Sequence, residues 1–393
     1  MNPSGLGGYE SYLHYLSEQL AFADHESIIV SQSPARDSPE TLEREHYTLH
    51  HRDGNLLEAR KWEYYAMSEA ERGTMANKLF KLNDVSENVL LLVRQLSELI
   101  EETKPDILHA HSTYVIFNRV LAKLKSDFDL GVPAIVTIHG LPKPLILPSG
   151  TETTDYSELV SAFPFDLALG VSNAVSEALR MHLRPLRLEH LVHTEYLGVD
   201  LSTFKPNLSL EKEWDLAFMG RLEAMKSVDL FPEMLLLLKR KYPDLRMVMT
   251  GEGSMKDQLL EEITRLGLEA LVEYRGVVRM DEVANLINRS RVFLYPSRRE
   301  PFGLSIVEAM ACGIPVITTN VFGPREIVRH KWDGYIIPAN DTRALVEAVE
   351  ALLSDVELRT RLGKNALESV RKRFDIRMHT TRLVGIYDQI LGQ

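Results

Sequence analysis

The sequence has little of the chemistry that stabilises secreted or metal-bound proteins. Its 393 residues include one cysteine, Cys312, so no disulfide can form within the chain. A reducing compartment fits this composition best, and we therefore expect a cytoplasmic protein. Cys312 lies among apolar residues, which favours a buried, inert thiol. Because the sequence shows no set of ligands in a metal-binding pattern, we predict no metal site.

Long apolar runs and an excess of positive charge are also missing. The longest apolar runs, such as Val89–Val93 and Met234–Leu238, are far shorter than the roughly 20 residues that span a bilayer. The net charge of −11 argues against nucleic acid as a partner. The stretch Arg180–His193 combines arginines and histidines with leucines and would allow weak membrane association, although a solvated helix and loop is the more ordinary interpretation.

Strand-like and helix-like patterns alternate along nearly the whole chain. A single hydrophobic core stops growing at roughly 250–300 residues, so this length predicts two domains. The alternation predicts an α/β fold with parallel sheets covered by helices. The strands predicted in the first half are Ser27–Val30, Ile107–Ala110, Ala134–Ile138, Leu167–Val171 and Leu188–Tyr196. Those predicted in the second half are Asp215–Met219, Arg246–Thr250, Val272–Tyr274, Val292–Tyr295 and Pro315–Thr318.

A turn-rich stretch, Gly198–Glu213, separates the two halves and is interpreted as a linker. We predict Rossmann-like domains over residues 1–200 and 213–375, followed by a final segment over 376–393. Two such domains imply a cleft between them. Open parallel sheets bind ligands at the carboxyl ends of their strands, so that cleft is the expected site.

The strongest local signal runs from Glu300 to Met310 (EPFGLSIVEAM) and follows a buried strand. The pattern puts Gly303 and Leu304 at a helix N-terminus, where free amide groups and the helix dipole suit a phosphate. Glu308 lies in an apolar stretch of this helix, where a carboxylate is costly without a partner. A local cap or salt bridge would be an alternative role for Glu308.

Two further segments suggest anion binding. Arg221 and Lys226 follow Gly220 at the end of a predicted strand, and two cations there can neutralise a diphosphate without a metal. A surface pair is the ordinary alternative. Near the start, Gly7 and Gly8 lead into a helix, where glycines let the backbone approach phosphate. Their spacing does not match the dinucleotide fingerprint.

Histidines follow two predicted strands of the first sheet. His109 and His111 end one strand, and His139 directly follows another. A single histidine is usually structural. Because three meet at neighbouring strand ends that face the inferred cleft, ligand contact is the better interpretation. Metal binding would need a carboxylate or a third imidazole fixed in geometry, and the sequence does not show one.

The chain resembles the family-4 retaining glycosyltransferases of the GT-B fold over nearly its whole length. The residues that carry the resemblance are Gly7-Gly8, Asp106–His111, Ile138-His139-Gly140, Gly198-Val199-Asp200 with Phe204, Gly220-Arg221 with Lys226, Gly251-Glu252-Gly253, and Glu300 with Glu308. The resemblance implies two Rossmann-like domains whose parallel sheets face each other across a cleft. It assigns acceptor binding to the first domain and nucleotide-sugar binding to the second, with the last helix returning to the first.

The resemblance also implies residue roles. Catalysis would fall to His139, Glu300, Arg221 and Lys226. The donor would be held by Gly7, Gly8, Arg221, Lys226, Phe302, Gly303, Leu304 and Glu308, with Glu308 on the ribose and Gly8 under the diphosphate. His111 and Tyr114 would serve the acceptor. The implied reaction moves a hexose or N-acetylhexosamine from a nucleoside diphosphate sugar, on family grounds a UDP-sugar, to a hydroxyl of a small molecule, a sugar or a lipid-linked acceptor. No metal or other cofactor is implied.

The sequence departs from the family pattern at the first strand. Related chains have a hydrophobic strand before the glycine loop, whereas here only Met1-Asn2-Pro3-Ser4 precede it. We therefore expect the first sheet to lack that strand or to be built differently. Leu197 and Ser227 replace the usual asparagine and glycine, without an expected loss of activity. A nucleotide-sugar epimerase of similar fold and a non-catalytic nucleotide-sugar-binding scaffold remain alternative readings.

Overall fold

The protein is described by a computed structural model that covers residues 8–32, 40–52, 82–111, 115–127, 130–146, 152–154, 156 and 163–392. Two compact units divide the chain. The six-strand unit contains Met1–Gln19 and Tyr196–Thr380, and the four-strand unit contains Leu20–Glu195 and Thr381–Gln393. The predicted site residues Gly7 and Tyr114 lie outside the described residues.

The described residues form strands and helices, which alternate as predicted from β10 to β15, whereas several strands follow one another in the first half. The strands are β1 (Ile28–Gln32), β2 (Glu40–Glu43), β3 (Thr48–Arg52), β4 (Leu108–His111), β5 (Ala134–Ile138), β6 (Pro144–Ile146), β7 (Glu152–Thr154), β8 (Leu167–Gly170), β9 (Val192–Thr194), β10 (Trp214–Met219), β11 (Met247–Thr250), β12 (Val272–Tyr274), β13 (Ser290–Tyr295), β14 (Val316–Thr319) and β15 (Gly334–Ile337). The helices are α1 (Gly8–Phe22), α2 (Leu82–Thr103), α3 (Val115–Asp127), α4 (Asn173–Leu183), α5 (Phe231–Lys239), α6 (Lys256–Arg265), α7 (Met280–Asn288), α8 (Leu304–Ala311), α9 (Pro324–Ile327), α10 (Thr342–Ser354), α11 (Val356–Arg373) and α12 (Ile376–Leu391).

The six-strand unit is built on a parallel sheet with the order β12-β11-β10-β13-β14-β15. Its inner strands read as short apolar runs, and every residue of β11 and β14 is buried. Strands that read this way are covered by helices on both faces. Helix α8 packs against α11, and α10 packs against α5 and β13. The carboxyl ends of all six strands therefore lie along one edge of the sheet.

The described residues of the four-strand unit form two main sheets. One is parallel, with the order β4-β5-β8-β9, and the other has the order β1-β3-β2 with one antiparallel pair. Strands β1 and β4 thus belong to separate sheets, in a part of the chain where we expected a missing strand or a different construction. Between β5 and β8 in the sequence, β6 and β7 form a short antiparallel pair.

Most element boundaries agree with the sequence to within a few residues, but one strand is much shorter. The segment predicted as a strand over Leu188–Tyr196 forms a 3-10 turn at Glu189–Leu191 before β9 begins. Arg187 just before it has φ 59°, a left-handed conformation that interrupts extended backbone. The short or polar elements β2, β3, β6, β7 and β15 carry too weak an apolar pattern to be predicted.

Candidate functional site

Two loops at the carboxyl edge of the six-stranded sheet are packed directly on each other. The Leu222 amide, after β10, donates to the Glu252 carbonyl, after β11, at 2.9 Å. Gly251 has φ 119°, and a Cβ atom there would collide with the Gly220 carbonyl. Only glycine allows this approach. The close packing fixes the position of the Gly220-Arg221 turn.

Lys226, Glu300 and Tyr295 form a buried polar triad at the same edge. Lys226 ends a 3-10 turn after β10, Tyr295 ends β13, and Glu300 precedes α8. The Lys226 ammonium contacts a Glu300 carboxylate oxygen and donates to the Tyr295 hydroxyl at 2.8 Å, and that hydroxyl donates to the same Glu300 oxygen at 2.9 Å. Each buried charge therefore has a hydrogen-bonded partner.

The triad determines the charge states of its members. Burial alone would lower the pKa of Lys226, but the neighbouring Glu300 carboxylate outweighs it and the pKa is raised. Burial, reinforced by the Glu300 charge, raises the pKa of Tyr295 to about 12. At neutral pH Lys226 is thus an ammonium and Tyr295 a neutral phenol. Tyr295 was not singled out from the sequence, where it reads only as the last aromatic residue of an apolar strand.

Arg298 joins the loop that carries Lys226 to the loop that carries Glu300. Its guanidinium donates to both carboxylate oxygens of Asp229, at 2.7 and 2.6 Å, and to the Ala224 carbonyl. Its own amide donates to the Met225 carbonyl at 2.8 Å. No local pattern indicated this role, because Arg298 and Asp229 are 69 positions apart.

Arg221 presents an exposed cation at the same edge. Its side chain donates to the Met225 sulfur at 3.8 Å. Within the described residues it forms no ion pair. A guanidinium in this state is available to an anion, whereas the Lys226 ammonium is already neutralised by Glu300.

The start of α8 offers backbone amides to the same edge. Gly303 has φ 111° and precedes the helix, and the first amides of a helix have no acceptor within it. The neighbouring Phe302 is buried, with ring centroids 6.2 Å from Tyr196 and 5.8 Å from Phe374. Its ring thus anchors the turn in an aromatic cluster, while the amides of the turn remain as anion donors.

Glu308 is a buried carboxylate without a partner. It lies on α8 and is 8% exposed, and within the described residues it makes no hydrogen bond or ion pair. Burial raises its pKa to about 7. The local cap or salt bridge considered from the sequence is therefore not what the structure contains.

Helix α1 contributes a tyrosine that lies near Glu308. Burial raises the pKa of Tyr15, the Thr203 hydroxyl opposes that shift, and the charges of Asp200 and Glu308 add to it. Tyr15 is 8% exposed and belongs to the part of α1 inside the six-strand unit. Sequence reasoning missed it, since a tyrosine at helical spacing reads as ordinary core.

The three predicted histidines meet in the four-strand unit. The rings of His109 and His111 stack with centroids 4.0 Å apart, and His111 Nδ1 lies 3.2 Å from His139 Nε2. His109 also bonds Thr137, at 2.7 Å, and Tyr387, at 2.6 Å. The structure thus brings the histidines together as predicted, and adds Tyr387 from α12, which the sequence did not indicate.

The described residues contain no cluster suited to a metal ion. No group of three or more histidine, cysteine, aspartate or glutamate side chains is arranged to hold one there. None of the described helices combines the length and apolar character that a membrane crossing requires. In the basic stretch Arg180–His193, Met181 is 67% exposed and Leu186 is 49% exposed. Weak membrane association and a solvated helix and loop both stay open there.

Comparison with known proteins gives consistent relatives for both halves. Residues 6–203 match the family model described as Glycosyltransferase Family 4, and residues 201–369 match the one described as Glycosyl transferases group 1. N-acetyl-alpha-D-glucosaminyl L-malate synthase of Bacillus anthracis is 26% identical over 309 residues, which is 77% of this chain and 79% of that protein.

Solved structures of similar fold cover nearly the whole chain. Sucrose-phosphate synthase from Thermosynechococcus elongatus has a TM-score of 0.76 at 19% identity, over 98% of this chain and 94% of its own. HepE of Anabaena, in complex with UDP and glucose, has a TM-score of 0.67 at 18% identity, over 98% of this chain and 96% of its own. These likenesses confirm the predicted α/β, GT-B fold.

Proposed function

Since the chain belongs to glycosyltransferase family 4, we propose that it transfers a hexose or N-acetylhexosamine from a UDP-sugar to an acceptor hydroxyl, with retention at the anomeric carbon and without a metal. The observation that carries the proposal is Glu308, a buried carboxylate one turn inside α8 that has no partner in the part of the chain that the structure describes. A buried charge of this kind is costly unless a ligand satisfies it. Ribose hydroxyls supply the hydrogen-bond donors that a carboxylate needs.

The diphosphate would be bound by the remaining donors of this edge. Arg221 is an exposed cation without an acidic partner, and the first amides of α8 have no acceptor within the helix. Together they stabilise the negative charge that grows on the departing diphosphate. Lys226 would act with Glu300 as one unit, the ammonium turned to phosphate and the carboxylate to the transferred sugar. Gly7 and Gly8 remain proposed contacts of the diphosphate.

The chemical step needs a leaving group that can accept a proton. We assign His139 to the sugar near the anomeric centre, and His111 with Tyr114 to the acceptor. The acceptor hydroxyl attacks from the face that the diphosphate leaves, its oxygen forms the new bond to the anomeric carbon, and its proton passes to the departing phosphate oxygen. Retention follows because bond formation and bond breaking use the same face.

HepE contains UDP and glucose, which supports UDP as the nucleotide to test first. Calorimetry with UDP, GDP and ADP, followed by thermal shift with UDP-sugars, tests the donor class. We expect UDP to bind and to raise the melting temperature, by an amount that grows with the logarithm of the UDP concentration relative to its Kd. The absence of binding by every nucleoside diphosphate would overturn the proposal.

Two variants separate the roles of the carboxylates. Glu308→Ala is expected to weaken UDP binding, whereas Glu300→Ala should mainly lower turnover. Equal losses of nucleotide affinity would contradict the assignment. NMR of the glycoside product reports its anomeric configuration, and an EDTA-treated sample tests metal independence. Incubation with the nucleotide sugar alone distinguishes an epimerase, which would return an isomerised donor.

A further inference from the structure

Tyr387 of α12 connects this last helix to the histidine cluster of His109, His111 and His139 through a hydrogen bond. Its oxygen lies 2.6 Å from His109 Nδ1, and the two rings meet edge to face with centroids 5.7 Å apart. Tyr387 and His109 are 278 positions apart in sequence and both belong to the four-strand unit. Neither the family resemblance nor the mechanism above gives Tyr387 a role.

Two hydroxyls hold the His109 imidazole at both ring nitrogens. Nδ1 contacts the Tyr387 hydroxyl, and Nε2 lies 2.7 Å from the Thr137 hydroxyl. A neutral imidazole has one donor and one acceptor nitrogen, and a hydroxyl can donate or accept. Either tautomer therefore satisfies both contacts, and the ring is held between oxygens on β5 and α12.

A fixed His109 ring sets the plane of His111. The two rings stack at 28° with centroids 4.0 Å apart, and His111 Nδ1 faces His139 Nε2 at 3.2 Å. At this separation one of the two nitrogens must carry a hydrogen and the other a lone pair, so the contact holds a single proton. Rotation of His111 would break it. The orientation of His139 therefore depends on a ring held by Tyr387.

We propose that Tyr387 is a positioning residue for transfer: it locks His109, which aligns the His111–His139 pair that faces the reacting sugar and acceptor. The inference rests on the proposed function for the role of His139. The hydrogen-bonding part of it can be measured without any substrate. Removal of one hydroxyl should thus change two histidines that Tyr387 does not touch.

The first experiment is NMR on full-length protein carrying 15N-labelled histidine. Tyr387→Phe removes the hydroxyl and keeps the ring. We expect the His109 ring nitrogen shifts to change because one of the ring's hydrogen bonds is lost, and the His111 and His139 signals, assigned by single His→Gln variants, to move with them. Tyr335→Phe is the matched control, because Tyr335 also meets a histidine edge to face, His330 at 5.4 Å, without a hydrogen bond between them.

The second experiment is steady-state kinetics with the donor found by the binding screen. A positioning role predicts that Tyr387→Phe lowers kcat roughly fivefold to tenfold, the size expected for one lost hydrogen bond, while KM for the nucleotide sugar changes less than twofold. Tyr335→Phe should leave both constants unchanged. Thr137→Val, which removes the other hydroxyl, should reproduce the loss in kcat.

The outcomes separate the two proposals. His111 and His139 signals that stay unchanged in Tyr387→Phe overturn the positioning role whatever reaction the protein performs. Shifted signals with an unchanged kcat also overturn it, because alignment would then not matter for transfer. If the signals shift but the protein transfers no sugar from any donor, the coupling of Tyr387 to the three histidines is supported and the proposed function is overturned.

Discussion

At the scale of single residues, the six-strand unit contains two buried carboxylates in different environments. Lys226 and Glu300 neutralise each other and share the Tyr295 hydroxyl. Glu308, by contrast, is buried and has no hydrogen-bond or ion-pair partner within the described ranges. Replacing the Glu308 carboxylate with an uncharged side chain should stabilise the fold, so a role in binding a ligand best explains why a carboxylate lies there.

The free energy of unfolding should reveal the cost of the Glu308 carboxylate. Its pKa is about 7 in the folded protein, against 4.5 for an ordinary glutamate, so the folded state binds the proton more tightly. Its contribution to stability is therefore fully present at low pH and is lost as pH rises from about 4.5 through 7. The total loss is on the order of 3 kcal/mol. Between pH 5 and pH 8, the free energy of unfolding of Glu308→Gln in urea should increase relative to that of the wild type. The same variant should bind UDP at least tenfold more weakly.

Glu368, an exposed carboxylate on α11, supplies the control for this prediction. Glu368→Gln should leave UDP affinity unchanged and show no gain over the wild type at the higher pH. Parallel stability profiles of wild type and Glu308→Gln across this range would mean that Glu308 is not held in an apolar environment.

The Lys226–Glu300 pair should show strong energetic coupling. Lys226→Met leaves a buried carboxylate with only Tyr295 beside it, and the loss of one member of a buried pair costs about 3–5 kcal/mol. Lys226→Met with Glu300→Gln should recover most of that stability, since no buried charge remains. A double-mutant cycle in urea measures the coupling. Additive losses would refute it, and Lys123→Met, in the exposed pair with Asp127, should change stability very little.

At the scale of elements, the turn before α8 joins the protein core to the proposed phosphate site. The ring of Phe302 is held in an aromatic cluster, and Gly303 adopts a φ of 111° that sets the direction of the first helical amides. The loop that carries Lys226 is fixed to this region by Arg298. The amides and the cations thus lie on short, firmly attached connections, which suits a preorganised site.

Gly303→Ala should disturb this turn. A Cβ atom there would lie 2.9 Å from Ile306 Cδ1, in a backbone conformation that residues with side chains rarely adopt. We expect a stability loss of about 1–3 kcal/mol and a fall in UDP affinity of roughly tenfold. Gly267→Ala separates the two effects, because φ is +64° there and open space surrounds the added atom. It should lower stability without changing UDP affinity by calorimetry.

At the scale of the whole molecule, the candidate residues divide between two compact units. The cations, the carboxylates and α8 belong to the six-strand unit, and the histidines with Tyr387 belong to the four-strand unit. The groups proposed to bind the diphosphate, Arg221 and the first amides of α8, lie at one edge of the six-stranded sheet. A bound diphosphate should therefore change hydrogen exchange only in the segments near this edge.

Hydrogen exchange with and without UDP tests that localisation. Protection should increase in the segments after β10 and β13 and over the first turn of α8, because ligand contact suppresses local opening there. Strands β12 and β15, at the two ends of the same sheet, serve as internal controls and should change little. Uniform protection of the whole chain would indicate global stabilisation without a defined site.

The sequence by itself determined the fold class and the positions of most strands, and it indicated the residues proposed to bind the donor. Apolar periodicity is a local property, so strands such as β10 and β13 could be predicted, and Glu300, Glu308 and Arg221 lie in short motifs. Tertiary structure alone decided the partners: Tyr295 for Lys226, Asp229 for Arg298 and Tyr387 for His109. These contacts join residues 69 to 278 positions apart, and no periodic pattern encodes them. It also decided that Glu308 has no partner among the described residues, since burial and pairing depend on how distant segments pack.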